Sequence, residues 1–446
     1  MQRIILHIDF DSFFASVEQQ DNLLLRNRPI GVTATNGRTC IIAASREAKR
    51  LGIKSPSRTS EAKQICSSII FVPAHFVHYW EISRKFVALC ANFSPTVEVF
   101  SLDEVFMDVT YTAPLFGGVY PLITEFKKRL REEVGECITA SVGVASNKIL
   151  AKLASGMRKP DGVMTITKEN LWNVYKEMKL TAICGIGGRI ESRLQQMGIY
   201  TLHHLQKAPL SALIAEFGNV EGHFLWNVGQ GEDDRQVIPH ELKPDVKSVG
   251  RQYCLPQNEY DSRKVLQNLY ELCEEVTLKL RRLDKKARSI GFYLGGEKVY
   301  SGKYTFDHYI NTGSDLFNGC LYLLNRHCEE TTIVADEAIP IRCRTEQGIA
   351  PYGHKTAAIA WLRNDGNYIR HVSVWMSHLE DNANIPSSIF PIDQKQQKVI
   401  KVIDRLNDKY GDHTIRNAFL LYADRLTTVP NGYTVNRYEL RVDQKV

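Results

Sequence analysis

The chain opens with a short, unbroken apolar run, RIILHID at 3–9, which predicts a buried β-strand ending at Asp9. Helical spacing of apolar positions then predicts a helix from Ser12 through SFFASVEQQDNLLLRN. PIGVTAT and CIIAAS predict two strands, with Asn36-Gly37 between them as a hairpin signal. A helix over REAKRLG should stop at Gly52, and FVPAH reads as a strand. TVEVFSLDEVFMDVT predicts strands with a charged tip at Leu102-Asp103-Glu104-Val105. A helix over LITEFKKRLREEVG and a strand over ITASVGVA follow. Strands and helices mix without a strict βαβ repeat, which predicts an α+β fold around a largely antiparallel sheet.

Beyond Lys159-Pro160-Asp161-Gly162 the pattern changes. Residues 166–236 read as short helices punctuated by glycine, and QGEDDRQVIPHELKPDVKS reads as a linker. Strand and helix then alternate over 247–380: SVGRQYCL, a long helix ending in LKLRRLDKKAR, SIGFYLG, a helix near 314–328, and RHVSVWMSHL. The stretch 340–368 reads as an irregular excursion, and KVIKVIDRLNDKYG as a terminal helix.

A chain of 446 residues exceeds one ordinary core, so two to four domains are expected. Its net charge of +6 tilts only slightly toward a phosphate-bearing partner. The ten cysteines form no CxxC pair and no zinc-spaced cluster with histidine, which argues against a sulfur-ligated metal and a disulfide framework. No apolar run approaches the roughly 18 residues that span a bilayer, so a cytoplasmic location is expected, with no membrane partner.

The chemistry concentrates in two acidic clusters at the ends of apolar strands, Asp9-Phe10-Asp11 and Ser101-Leu102-Asp103-Glu104. Carboxylates converging from neighbouring strands repel unless a cation sits among them. Oxygen-only donors suit Mg²⁺, and a pair of such ions can activate a 3′-hydroxyl and stabilise leaving pyrophosphate. The plainer reading is that such acids are solvated turn formers, and only the combination argues otherwise. An aspartyl-phosphatase loop also begins Asp-x-Asp, but it expects Thr or Val where Phe13 stands, and a parallel sheet.

Five stretches, taken in order, resemble the Y-family of translesion DNA polymerases, its bacterial polymerase IV branch in particular. They are HIDFDSFFASVEQ, AASREAKRLGI, FSLDEVFMDVT, SVGVASNKILAKLASGMRKPDG and CGIGGRIESRLQQMGI. The resemblance implies a palm over 1–10 and 76–165, fingers over 11–75, and a helical thumb over 166–239. It further implies an α/β little finger over 240–380 and a tail over 381–446. It implies Asp9, Asp103 and Glu104 as catalytic metal ligands with the carbonyl of Phe10, two Mg²⁺ per site, and Asp11 in support. Phe14 falls where the family keeps a bulky ring that clashes with a 2′-hydroxyl, while Phe13 packs. Arg46 and Lys49 stand where the family commonly has tyrosine and arginine against the triphosphate; Ser45 precedes them, and Lys159 matches a phosphate-binding lysine.

Gly185-Ile186-Gly187-Gly188 resembles a helix-hairpin-helix whose glycines let backbone N–H groups reach DNA phosphate. Lys247, Ser248 and Arg251, at the start of a strand, are further candidates for phosphate contact. Arg281, Arg282, Lys285, Lys286 and Arg288 read equally well as cations at a helix C-terminus. The segment Ile385–Phe390 weakly resembles a sliding-clamp docking peptide, and the closing GYTVNRYEL resembles the tail of the polymerase V subunit. The expected partners are therefore primer-template DNA, deoxynucleoside triphosphates and, through Ile385–Phe390, a sliding clamp, for a monomeric enzyme without proofreading. The alternative is a polymerase relic that only occupies DNA or a clamp. Such a relic would normally have lost one of the three carboxylates.

Overall fold

The computed structural model describes residues 3–34, 40–239, 242, 245–330, 367–386, 391–411 and 414–420. The chain divides into two compact units, one within Met1–Lys243 and the other within Pro244–Thr428. The Asn36-Gly37 turn, most of the 340–368 excursion, the 387–390 part of the candidate clamp peptide and the closing segment from 421 lie outside the described residues.

The first unit is built on a five-stranded sheet in the order Val97–Val99, Glu104–Asp108, Ile5–Phe10, Ala140–Ala145, Val163–Thr165. The opening strand is central, antiparallel to both neighbours, and is buried on both faces. Side-chain alternation splits those faces. Leu6, Ile8 and Phe10 enter a core shared with Phe86, Val87, Leu122 and Phe126 of the helices Phe76–Ala91 and Val119–Arg129. Ile5 joins Phe106, Ala145 and the helix Lys148–Met157 in a separate cluster. By the same period of two, His7 and Asp9 share the face that Ile5 occupies. Gly143 makes this second layer possible: a Cβ there would lie 1.9 Å from the carbonyl oxygen of Ala151.

A four-stranded sheet, Ser57–Arg58, Cys40–Ala44, Ile30–Thr33, Ile70–Pro73, forms a smaller layer with its own core of Ile41, Ala44, Ala48, Ile53, Ala62 and Ile69. After the first sheet come five helices between Leu171 and Gln230, packed around Leu180, Leu194, Leu205, Leu213 and Leu225. The second unit is a four-stranded antiparallel sheet, Ser248–Glu259, Ile369–Asp381, Lys285–Gly296, Val299–Ile310. The helices Ser262–Arg282 and Gly313–Glu330 cover one face. A helix at Pro391–Tyr410 is clipped to this body by Arg281, whose Nε and Nη2 reach Asp404 at 2.7 and 2.8 Å, and by Arg282 on Asp408 at 2.6 Å.

Several elements differ from the sequence reading. The long helix expected to run through Arg288 ends at Arg282, where Asp284 takes a left-handed φ of 52° and turns the chain into the next strand. Lys285, Lys286 and Arg288 therefore belong to a strand. The helices Thr59–Ile65 and Phe76–Ala91 and the strand Val299–Ile310 were not anticipated. No helix among the described residues is long and apolar enough to cross a membrane.

The close approach at Gly143 has a measurable consequence. Gly143→Ala should lower the unfolding free energy by about 3 kcal/mol through overpacking against rigid backbone, read as a lower denaturant midpoint. An unchanged midpoint would mean that the helix Lys148–Met157 can step away from the sheet.

Candidate active site

Antiparallel pairing places Asp9 opposite Glu104 on adjacent strands, and Asp103 sits in the turn just before. The backbone N–H of Phe10 donates to the carbonyl of Asp103 at 2.9 Å, which fixes the turn against the end of the opening strand. The Phe10 ring is buried, so the residue offers this site only its backbone. The ligand atoms of His7, Asp9 and Glu104 lie within 4.8 Å of one another.

The electrostatics express the crowding. Burial raises the Asp103 carboxyl above its ordinary value; the charges of Asp9 and Glu104 push the same way, against a 2.5 Å hydrogen bond donated by Ser101. For Glu104 burial also pushes upward, yet His7 and Lys152 outweigh it and hold the carboxyl at about 2. The Lys152 ammonium contacts Glu104, and the Lys159 ammonium contacts Asp9. Three carboxylates in mutual repulsion, offering only oxygen, make a donor set that fits a divalent cation.

Asp11 points elsewhere. It is buried and accepts hydrogen bonds from Thr139 Oγ1 (2.6 Å), Ser141 Oγ (2.7 Å) and the backbone N–H of Asp161 (2.7 Å). Arg46 Nη2 donates to that same Thr139 hydroxyl at 2.5 Å. Asp11 thus ties Arg46 and the loop that carries Lys159 to one anchor. Lys49 joins them: burial lowers its pKa, and the nearby Lys159 lowers it further. Arg46, Lys49 and Lys159 therefore gather as one cationic group beside the carboxylates.

Ser45 does not join that group. It is fully buried, accepts from the N–H groups of Ile30 (3.1 Å) and Ala48 (3.2 Å), and donates to the carbonyl of Arg28 (3.2 Å). Its hydroxyl caps a helix and joins it to a strand, so the expected phosphate contact is corrected to a structural role. Phe13 is buried in the core, as expected, whereas Phe14 is half-exposed and stacks on Tyr79 with centroids 4.4 Å apart. The Tyr79 hydroxyl contacts the buried carboxylate of Glu18.

Comparison with known proteins places the chain in a family. Residues 8–156 match the impB/mucB/samB family, and 181–233 match the thumb domain of DNA polymerase-iota. The DNA polymerase IV of Moorella thermoacetica is 32% identical over 430 residues, covering 94% of this chain and 96% of that protein. The chain belongs to the Y-family of DNA polymerases. The DNA polymerase IV of Alkalilimnicola ehrlichii is 35% identical over 291 residues, 65% of this chain and 80% of the relative. A solved Y-family polymerase chimera of Dbh and Dpo4 superposes with a TM-score of 0.64 at 24% identity, covering 86% of this chain and all of the other. That likeness carries the α+β polymerase fold.

The remaining candidates of this Y-family chain separate by geometry. Gly185 has a φ of +111° and packs over Phe224, while the exposed Gly187 precedes the helix Gly188–Gln196. Lys247 and Ser248 are exposed. Arg251 is not free for phosphate: it faces the helices, with Nε 2.7 Å from Glu275. The opposite face of that sheet carries what sequence reasoning missed. Paired rows there read Ser248, Ser377, Ser289, Thr305; then Gly250, Trp375, Gly291, Lys303; then Gln252, Ser373, Tyr293, Ser301. Also missed were His7, Lys152 and Tyr79. Lys152 follows Lys148 by one helical turn in SNKILAKLAS, the only hint that the sequence offered.

The depressed Glu104 pKa sets a pH dependence. A carboxyl lowered in the folded state adds stability above its ordinary 4.5, and loses it as pH falls from about 4.5 to about 2. Without divalent cations, Glu104→Gln should remove that increment. The gap in unfolding free energy between wild type and variant should narrow on acidification through this window. A gap independent of pH would mean that Glu104 is not held by His7 and Lys152.

Proposed function

We propose that this chain extends a primer 3′-end along a DNA template by Mg²⁺-dependent nucleotidyl transfer, with two ions per active site and without proofreading. The observation that carries this is the convergence of Asp9, Asp103 and Glu104 at one sheet end, beside the cations Arg46, Lys49 and Lys159. Asp9, Asp103, Glu104 and the Phe10 carbonyl would hold the metal. Bound there, it would lower the pKa of the 3′-hydroxyl and neutralise charge on the departing pyrophosphate. Arg46, Lys49 and Lys159 would hold and orient the triphosphate, with Asp11 keeping two of them in place through Thr139 and the Asp161 loop. Here Arg46 and Lys49 supply two cations at positions where the family commonly shows tyrosine and arginine, so Lys49 acts as a point charge and not a fork. Phe14, backed by Tyr79, would lie under the sugar and exclude a 2′-hydroxyl.

In this reading the five-stranded sheet is the palm, 11–75 supply the fingers, 166–239 the thumb, 240–380 the little finger and 381–446 a tail. The hairpin at Gly185 to Gly188 and the exposed Lys247 and Ser248 would hold phosphates of the duplex. The hydroxyl- and glycine-rich face of the second unit suits a duplex backbone held without sequence reading. The segment 385–390 would dock a sliding clamp, and the enzyme would act as a monomer.

The first test is extension of a labelled primer on undamaged and abasic templates. Asp103→Ala/Glu104→Ala should abolish extension that the wild type performs in Mg²⁺, and wild-type synthesis past the abasic site marks the translesion role. A wild type that binds DNA yet adds nothing would leave the relic in its place. Phe14→Val should raise ribonucleotide incorporation on the order of 10²-fold relative to deoxynucleotides. An unchanged sugar preference would remove the gate from Phe14.

A further inference from the structure

We infer that His7 is a positioning residue that holds Glu104 for the metal, its ring fixed from behind by Ser155 and Phe106. The inference rests on the metal-ligand reading of Glu104 given above.

His7 is completely buried on the central strand, two residues before Asp9 and on the same face. A buried polar ring in a sheet core costs stability unless both nitrogens are engaged. Its Nδ1 lies 2.7 Å from Ser155 Oγ, on the helix that Gly143 lets approach the sheet. Its Nε2 lies 3.1 Å from Glu104 Oε2. The ring is fixed between these ends by Phe106, with centroids 4.6 Å apart.

An Nε2–H aimed at Glu104 attracts its carboxylate, whereas an Nε2 lone pair there would repel it. The Ser155 hydroxyl, which donates to the Lys152 carbonyl at 2.9 Å, lies against Nδ1 and holds the far side of the ring. The oxygen donors of Asp9, Asp103 and Glu104 already make the harder set that Mg²⁺ prefers.

Glu104 is thereby gripped from two sides. Lys152 offers a flexible charge that a bound cation would displace by repulsion. His7 is locked in the sheet core by Ser155 and Phe106, so it can remain in place when the dication arrives and keep the carboxylate aimed. Hydrogen bonds of this kind to a ligating side chain commonly change metal affinity 10–100-fold.

The test compares His7→Phe, His7→Gln and Ser155→Ala in the full chain bound to a dideoxy-terminated primer-template with the matching nucleotide. Mn²⁺ binding is read by electron paramagnetic resonance, and kcat and KM for the nucleotide are measured on an extendable primer. His7→Phe fills the same space beside Phe106 but donates nothing. It should raise the half-saturating Mn²⁺ about 10–100-fold, with the nucleotide KM at saturating metal unchanged. His7→Gln, whose amide can donate, should recover most of that loss. Ser155→Ala should cost less than His7→Phe, and it supplies the reading if His7→Phe does not fold. Wild-type Mn²⁺ affinity in a folded His7→Phe, or in Ser155→Ala if that is the only folded variant, overturns the inference. So does tighter loss in His7→Gln than in His7→Phe, which would point to direct ligation. A wild type that binds Mn²⁺ weakly and extends no primer would instead count against the polymerase reading itself.

Discussion

Repulsion among three carboxylates governs this molecule. Asp9, Asp103 and Glu104 meet where two strands end, and nothing in a hydrophobic core would tolerate them there without compensation. The surrounding structure supplies it in layers. Lysines 152 and 159 approach from the helix Lys148–Met157 and the loop after it. Ser101 donates a hydrogen bond to Asp103, and His7 Nε2 lies 3.1 Å from Glu104. Each compensating group sits on an element whose place is itself set by packing: Gly143 admits the helix, and Asp11 fastens the loop through the N–H of Asp161.

The same arrangement explains why the site is built from one face and the end of one strand. The opening strand sends Leu6, Ile8 and Phe10 into one core, and His7 and Asp9 to the other side. A one-residue slip would exchange these sets and destroy core and site together. Register is therefore secured by the same side chains that isolate the acids, and fold stability and site geometry are coupled through one short strand.

Much of this was visible in the chain. The apolar run ending at Asp9 and the charged tip at Leu102–Val105 announced two strands and their acids, because period and charge are local properties. The division between Phe13 as packing and Phe14 as a surface ring rested on resemblance. What escaped was whatever depends on partners distant in sequence. Ser45 looked like a phosphate donor until the fold supplied Arg28 and Ile30 as its neighbours. Arg251 looked free until the helix Ser262–Arg282 brought Glu275 beside it. His7 sat in plain view inside an apolar run, and only the fold could bring Ser155, 148 positions later, to its Nδ1.

The face of the second sheet turned away from its two helices has a consequence of another kind. Serine, glycine and threonine in its rows project little beyond the backbone, the Trp375 ring lies over Gly291, and only Gln252, Tyr293 and Lys303 stand longer in those rows. A duplex resting there would meet a low-relief surface, with few long arms to snag on a distorted backbone or a displaced base. Such a surface trades grip for tolerance: it can let an irregular helix slide past with little friction, and by the same token it gives the molecule little reason to stay.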